Sequence, residues 1–125
     1  MTRILIADDN PLVRRGLRDV IESAGDWKVC GEARTGREAI DRARELKPDV
    51  LVLDLVMPEM NGLEAARELT GRLPGVRILL CTVQLSSNVV REAKKVGIPG
   101  AVSKHNVGDI RDGIAAILRR EEYYR

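Results

Sequence analysis

The sequence predicts an α/β fold, a doubly wound sheet of five parallel strands with helices on both faces. Two observations predict it. Five short β-like runs alternate strictly with five helix-like segments, and the run Val50-Leu51-Val52-Leu53 is apolar at every position, as a strand covered on both faces requires. At 125 residues, 44% hydrophobic and 32% charged, the chain has the size and balance of one globular domain. Residues 1–120 are expected to form that domain, and 121–125 a tail or the start of a linker.

The elements follow in order. Ile4–Ala7 is the first β-like run, and Asn10-Pro11 then reads as an N-cap with proline at the first helical position. Leu12, Val13, Gly16, Leu17, Val20 and Ile21 form the apolar stripe of that helix. After the second run, Trp27–Gly31, Thr35-x-x-Glu38 has the pattern of a capping box. It precedes the stripe Ala39, Ile40, Ala43 and Leu46, which Lys47-Pro48 terminates. Val50–Leu53 is the third run, followed by a second capping-box pattern, Asn61-x-x-Glu64, and the stripe Leu63, Ala66, Leu69 and Leu73. Arg77–Cys81 is the fourth. The segment Ser86–Val96, short and polar, reads as a helix closed by Gly97. Gly100–Ser103 is the fifth run, and Ile110, Ile114, Ile117 and Leu118 mark the last helix.

Composition excludes several functions. Lys and Arg total 21 against 19 for Asp and Glu, and a formal charge of +2 is too small to point to nucleic acid or a membrane surface. Aromatic residues are 2% with no Phe, which leaves few platforms for stacking bases. Cys30 and Cys81 lie in apolar runs without metal-type spacing, and one His cannot complete a zinc set. They read as free thiols in a reducing compartment. No signal-peptide pattern or membrane-length apolar segment is present, so a cytoplasmic location is expected.

The chemistry collects just past the strands. Asp8 and Asp9 follow the first run, Asp54 the third, Thr82 the fourth and Lys104 the fifth. Right-handed crossovers put all of these ends on one edge of a parallel sheet, where ligands of open α/β folds bind. Three carboxylates there repel one another, and a hard divalent cation with oxygen ligands relieves the repulsion. Magnesium keeps room for a phosphate oxygen, an ionised Asp can attack a phosphoryl group, and an ammonium group and a hydroxyl can hold its oxygens.

These residues resemble a known family. Asp54-Leu55-Val56-Met57-Pro58-Glu59-Met60-Asn61-Gly62 is similar to the D-x-x-M-P-x-x-[DN]-G signature of response-regulator receiver domains, and Asp8-Asp9, Thr82 and Lys104 match in order and spacing. The resemblance implies a flavodoxin-like receiver fold with strand order 2-1-3-4-5. It implies Asp54 as phosphoacceptor in a two-component system, with Thr82 as switch hydroxyl and Lys104 as phosphate-binding cation. It implies Mg2+ as cofactor, held by Asp8, Asp9, Asp54 and the Val56 carbonyl. The donor would be a phosphohistidine on a sensor histidine kinase, in signalling rather than enzymatic turnover. A homodimer and a downstream DNA-binding output domain, as in helix-turn-helix transcription regulators, are further partners it implies.

Two positions depart from the family pattern. Ala101 stands where many members carry an aromatic residue that turns inward on phosphorylation, and His105 stands where a cis-proline often follows the lysine. A non-proline residue makes a cis bond there costly. Ala101 leaves room for an alternative, a degenerate receiver that acts as a phosphorylation-independent interaction module. A haloacid-dehalogenase-type phosphatase would need a second Asp at position 56, which is Val. Flavin phosphate would be repelled by Asp8 and Asp9. Arg91, Lys94 and Lys95 form a small basic patch on the fourth helix, either solvated or a partner surface.

Overall fold

The computed structural model describes all residues, 1–125. Its order is β1 (Thr2–Ala7), α1 (Pro11–Glu22), β2 (Trp27–Ala33), α2 (Gly36–Leu46), β3 (Val50–Leu53), α3 (Gly62–Arg72), β4 (Arg77–Thr82), α4 (Ser87–Val96), β5 (Gly100–Ser103), α5 (Val107–Leu118) and β6 (Tyr123–Tyr124). The sheet runs β2-β1-β3-β4-β5-β6, and every neighbouring pair is parallel. Crossover helices explain this pattern, because parallel neighbours cannot be joined by a tight hairpin.

Alternation along the strands divides the core into two layers. Leu5, Ala7, Leu51, Leu53, Ile78, Leu80 and Ala101 face α2, α3 and α4, where Ile40, Ala43, Ala66, Leu69 and Ala93 cover them. Ile4, Ile6, Val50, Val52, Leu79, Cys81 and Val102 face α1 and α5, where Leu17, Ile21, Ile110, Ile114 and Ile117 cover them. Both faces of β3 are therefore dry, which is why its sequence is apolar throughout. The stripe expected on α1 is narrower than its spacing suggests. Leu17 and Ile21 are buried, but Leu12 stands 74% exposed at the first turn, beyond the rim of the sheet.

The helix starts follow the capping residues. Asn10 Oδ1 accepts from the Leu12 and Val13 amides, with Pro11 at the first turn. At Asn61 both arms of the box form: its side chain accepts from Glu64 N (2.9 Å), and Glu64 Oε1 accepts from Asn61 N (3.2 Å). At Thr35 only one arm forms. Glu38 N donates to Thr35 Oγ1, but the Glu38 carboxylate takes the Arg34 amide instead. Ser86 caps α4, and Gly97 ends it in the left-handed region at φ +95°, where a side chain would be strained.

The sheet has six strands rather than the five expected. Two residues, Tyr123 and Tyr124, return after α5 and pair with Gly100 and Ala101 at the outer edge. A run of two residues in a charged setting has no readable period-2 pattern, and its strand character comes from the free edge it meets. The Asn61→Ala variant should lose about 1 kcal/mol of unfolding free energy. Urea unfolding measures it, and α3 should report the loss in hydrogen exchange before the sheet does.

Candidate functional site

Three of the site residues stand one step beyond a strand, yet their backbones stay in the ladder. Asp8 N donates to Ala33 O (3.0 Å), Asp54 N to Ala7 O (2.9 Å) and Lys104 N to Thr82 O (3.2 Å). The side chains are thus set by the sheet rather than by loose loops. Asp8, Asp9 and Asp54 bring one carboxylate oxygen each within 4.8 Å of one another. Asp8 and Asp54 are buried, and Asp9 is exposed at the mouth.

Lys104 completes the cluster. Its ammonium lies 3.0 Å from Asp54 Oδ2 and also contacts Asp8 Oδ2. One positive charge thus faces two buried carboxylates, with a third nearby. Burial raises the Asp54 pKa; Lys104 and the Val56 amide pull against it, Asp8 adds to it, and the net direction is up. For Lys104, burial pulls the pKa down, but the bonds to Asp8 and Asp54 together hold it above the usual lysine value. The two directions are compatible: the lysine has gained two partners, while Asp54 shares its only cation with Asp8.

Thr82 is fully buried at the end of β4, and its Oγ1 accepts from Gln84 N (3.2 Å). In the register it lies beside Ser103, the residue before Lys104. Val56 is half exposed on the loop after β3. That loop has little freedom. A Cβ on Gly62 would come within 2.2 Å of the Asp54 carbonyl oxygen, and a Cβ on Gly36 within 2.3 Å of the Met60 carbonyl oxygen. Glu59 takes a left-handed φ of +69° between them, and Met57 is buried in the core. His105 N donates to Ser103 Oγ (3.2 Å), its residue is exposed, and the chain has no cis peptide bond.

The structure also shows a support that sequence reasoning missed. Arg14 donates from Nη1 to the Asp8 carbonyl (2.8 Å) and from Nε to Glu32 Oε1 (2.7 Å), while Arg18 donates to Glu32 Oε2 (2.8 Å). Glu32 on β2 thereby anchors the turn that carries the acidic pair. The one sequence signal was Arg14 four residues after the cap Asn10, on the polar side of α1. Its partner lies 18 residues away, and no local spacing reveals that. The thiols play no part: burial pushes Cys81 up to about 12, and Cys30 also rises by burial.

The donor set fits a magnesium ion. Its ligands are hard oxygens, and Asp8 Oδ2 is buried without a hydrogen bond of regular geometry, having only the Lys104 ammonium beside it. Exposed apolar side chains follow the strand ends that carry the site. Leu12, Val56, Val83 and Val107, following β1, β3, β4 and β5, are each at least half exposed.

A family model described as the response regulator receiver domain matches residues 4–122. The chain is 41% identical over 102 residues to the chemotaxis protein CheY of Thermotoga maritima, covering 82% of this chain and 84% of that protein. It is 37% identical over 124 residues to the uncharacterized transcriptional regulatory protein YxjL of Bacillus subtilis, covering 98% of this chain but 57% of the relative. The chain therefore spans little more than half the length of that regulator. Among solved structures, a two-component response regulator of the LuxR family from Aurantimonas superposes with a TM-score of 0.94 at 34% identity, covering 98% of this chain and 89% of the other.

The Arg18 guanidinium, joined by Arg14 and opposed by burial, holds the Glu32 carboxyl below its usual range. A lowered folded-state pKa gives stability that is present above the unfolded value of about 4.5 and lost as the pH falls through the folded value. Glu32→Gln should therefore cost up to about 1 kcal/mol near neutral pH. In urea unfolding across a pH series, the gap to the wild type should close in acid.

Proposed function

The chain belongs to the response regulator receiver domain family, and from that premise we propose that it is a magnesium-dependent switch phosphorylated on Asp54. The observation that carries this reading is the convergence of Asp8, Asp9 and Asp54 with Lys104 at the carboxyl edge of the sheet. The family is one of two-component signalling, not of turnover enzymes.

The chemistry follows from the geometry. An Asp54 carboxylate oxygen attacks the phosphorus of a phosphohistidine, a P–O bond forms, the P–N bond breaks, and the leaving imidazole keeps its electron pair and takes a proton. Asp8, Asp9, Asp54 and the Val56 carbonyl would hold the magnesium ion, which supplies charge neutralisation for the transferring oxygens. Lys104, already 3.0 Å from Asp54, adds a positive charge at the same oxygens. The Thr82 hydroxyl, at the sheet end and bonded only by accepting from Gln84, has its proton free for a phosphoryl oxygen.

Exposed apolar side chains mark the partner face. Leu12, Val56, Val83 and Val107 are exposed in the segments that follow the strand ends, and a cleft of about 300 Å³ between α1 and α5 brings Val13, Leu17, Val20, Val83, Val107 and Ile110 together with Lys104. Such a surface suits an apolar face of the sensor histidine kinase that presents the phosphohistidine to the site. Relatives such as YxjL are named as transcriptional regulators, so a DNA-binding output joined to this receiver is part of the proposal. No helix is long and apolar enough to cross a membrane. The phosphorylation-independent alternative has only Ala101 in its favour, against a complete acidic set.

Incubation with acetyl phosphate, followed by intact-mass analysis, tests the reading. One phosphoryl adduct should form in wild type with magnesium, and none in Asp54→Asn or without magnesium. Asp54→Asn should unfold at the same temperature as wild type or higher, because it removes a carboxylate whose charge burial disfavours. An adduct that persists in Asp54→Asn would refute the assignment.

A further inference from the structure

β6 is small but the fold is shaped to receive it. Tyr123 and Tyr124 are two of only three aromatic residues in the chain. Tyr123 N donates to Pro99 O (3.0 Å), and Arg125 N donates to Ala101 O (2.9 Å), so the segment lies along β5. Glycine is required where it lands: a Cβ on Gly100 would come within 2.6 Å of the Tyr123 carbonyl oxygen. On α5, a Cβ on Gly113 would sit 3.2 Å from the Tyr123 ring.

The two rings grip opposite faces. Tyr123 packs with the α1/α5 layer and donates from its hydroxyl to Asp109 Oδ1 (2.8 Å) in the first turn of α5. Tyr124 packs with the other layer, donates to the Ile98 carbonyl, and lies with its ring centre 4.7 Å from Lys94 Nζ of α4. Beside it in the register, Ala101 offers only a methyl group, so the aromatic bulk at this edge comes from Tyr124.

The Tyr123 grip leads back to the acidic site. β5 ends at Ser103, and the next residue is Lys104. Three residues, Lys104 to Asn106, join β5 to α5; Asn106 caps that helix by accepting from Asp109 N, and the Asp109 carboxylate holds Tyr123. A movement of Lys104 thus acts on the turn that anchors the strand.

We propose that residues 121–125 are a releasable strap, docked while Lys104 bridges Asp8 and Asp54 and loosened when a phosphoryl group on Asp54 takes the lysine from Asp8 onto its own oxygens. The proposal rests on the reading of Asp54 as phosphoacceptor. The strap is a fit element for release: two residues of parallel strand at a sheet edge open far more readily than the buried strands. By reciprocity, a loosened strap favours the loaded site to the same degree that the loaded site loosens the strap.

Amide hydrogen exchange on the intact chain tests this, with magnesium and beryllofluoride as the phosphoryl mimic and fluorine NMR reporting occupancy of Asp54. Exchange at the Tyr123 and Arg125 amides should quicken at least fivefold on loading, and not at all in Asp54→Asn under the same salts. Tyr123→Phe, which removes only the bond to Asp109, should exchange faster at Arg125 before loading and bind beryllofluoride more tightly. A loaded site with unchanged or slower exchange at both amides overturns the strap and leaves the phosphoacceptor reading standing. A site that never loads overturns both.

Discussion

The organising constraint is a deficit of positive charge at the carboxyl edge of the sheet. Asp8 and Asp54 are buried there, Asp9 stands at the mouth, and Lys104 is the one ammonium in contact with them. Unit charges about 4 Å apart interact by about 4 kcal/mol at the effective dielectric near a protein surface. Repulsion of that order, offset only in part by Lys104, is costly in a domain whose whole stability is of order 5–15 kcal/mol. The sheet bears the cost because both of its faces are dry and closely packed. The backbone ladder extends past the strand ends, the glycines at 36 and 62 let the loop close over Asp54, and Arg14 with Glu32 holds the acidic turn. A divalent cation bound among these carboxylates would relieve that repulsion.

Much of this was legible in the sequence, for a physical reason. A doubly wound fold sends every strand end to the same edge, so the residue after each strand is a candidate once the alternation is read. Asp8, Asp9, Asp54, Thr82 and Lys104 stand out that way, and the structure brings the three carboxylates and the lysine together. The caps at Asn10, Asn61 and Gly97 were equally visible, because capping depends on residues within one turn of each other. The box at Thr35 was half right: Glu38 reaches the Arg34 amide rather than that of Thr35.

What the sequence did not disclose depends on distant contacts. The Arg14–Glu32 pair joins α1 to β2, and nothing near either residue announces the other. Leu12 fits the helical stripe by spacing but lies past the rim of the sheet, where there is nothing to cover it. β6 is the sharpest case. Residues 121–125 have the composition of a tail, and only the open edge of β5, with glycine at 100 and 113 to admit Tyr123, makes part of them a strand. That strand supplies the aromatic bulk that Ala101 does not. The edge strand therefore lies where local pattern is least informative.

The most direct test of the account is the dependence of thermal unfolding on magnesium. If uncompensated carboxylates define the site, the midpoint should climb with magnesium concentration as ligand linkage requires. Replacing the exposed Asp9 by Asn, which disturbs no packing, should flatten that climb. A midpoint indifferent to millimolar magnesium, or one that climbs equally without Asp9, would contradict the claim that the acidic cluster is built to receive a cation.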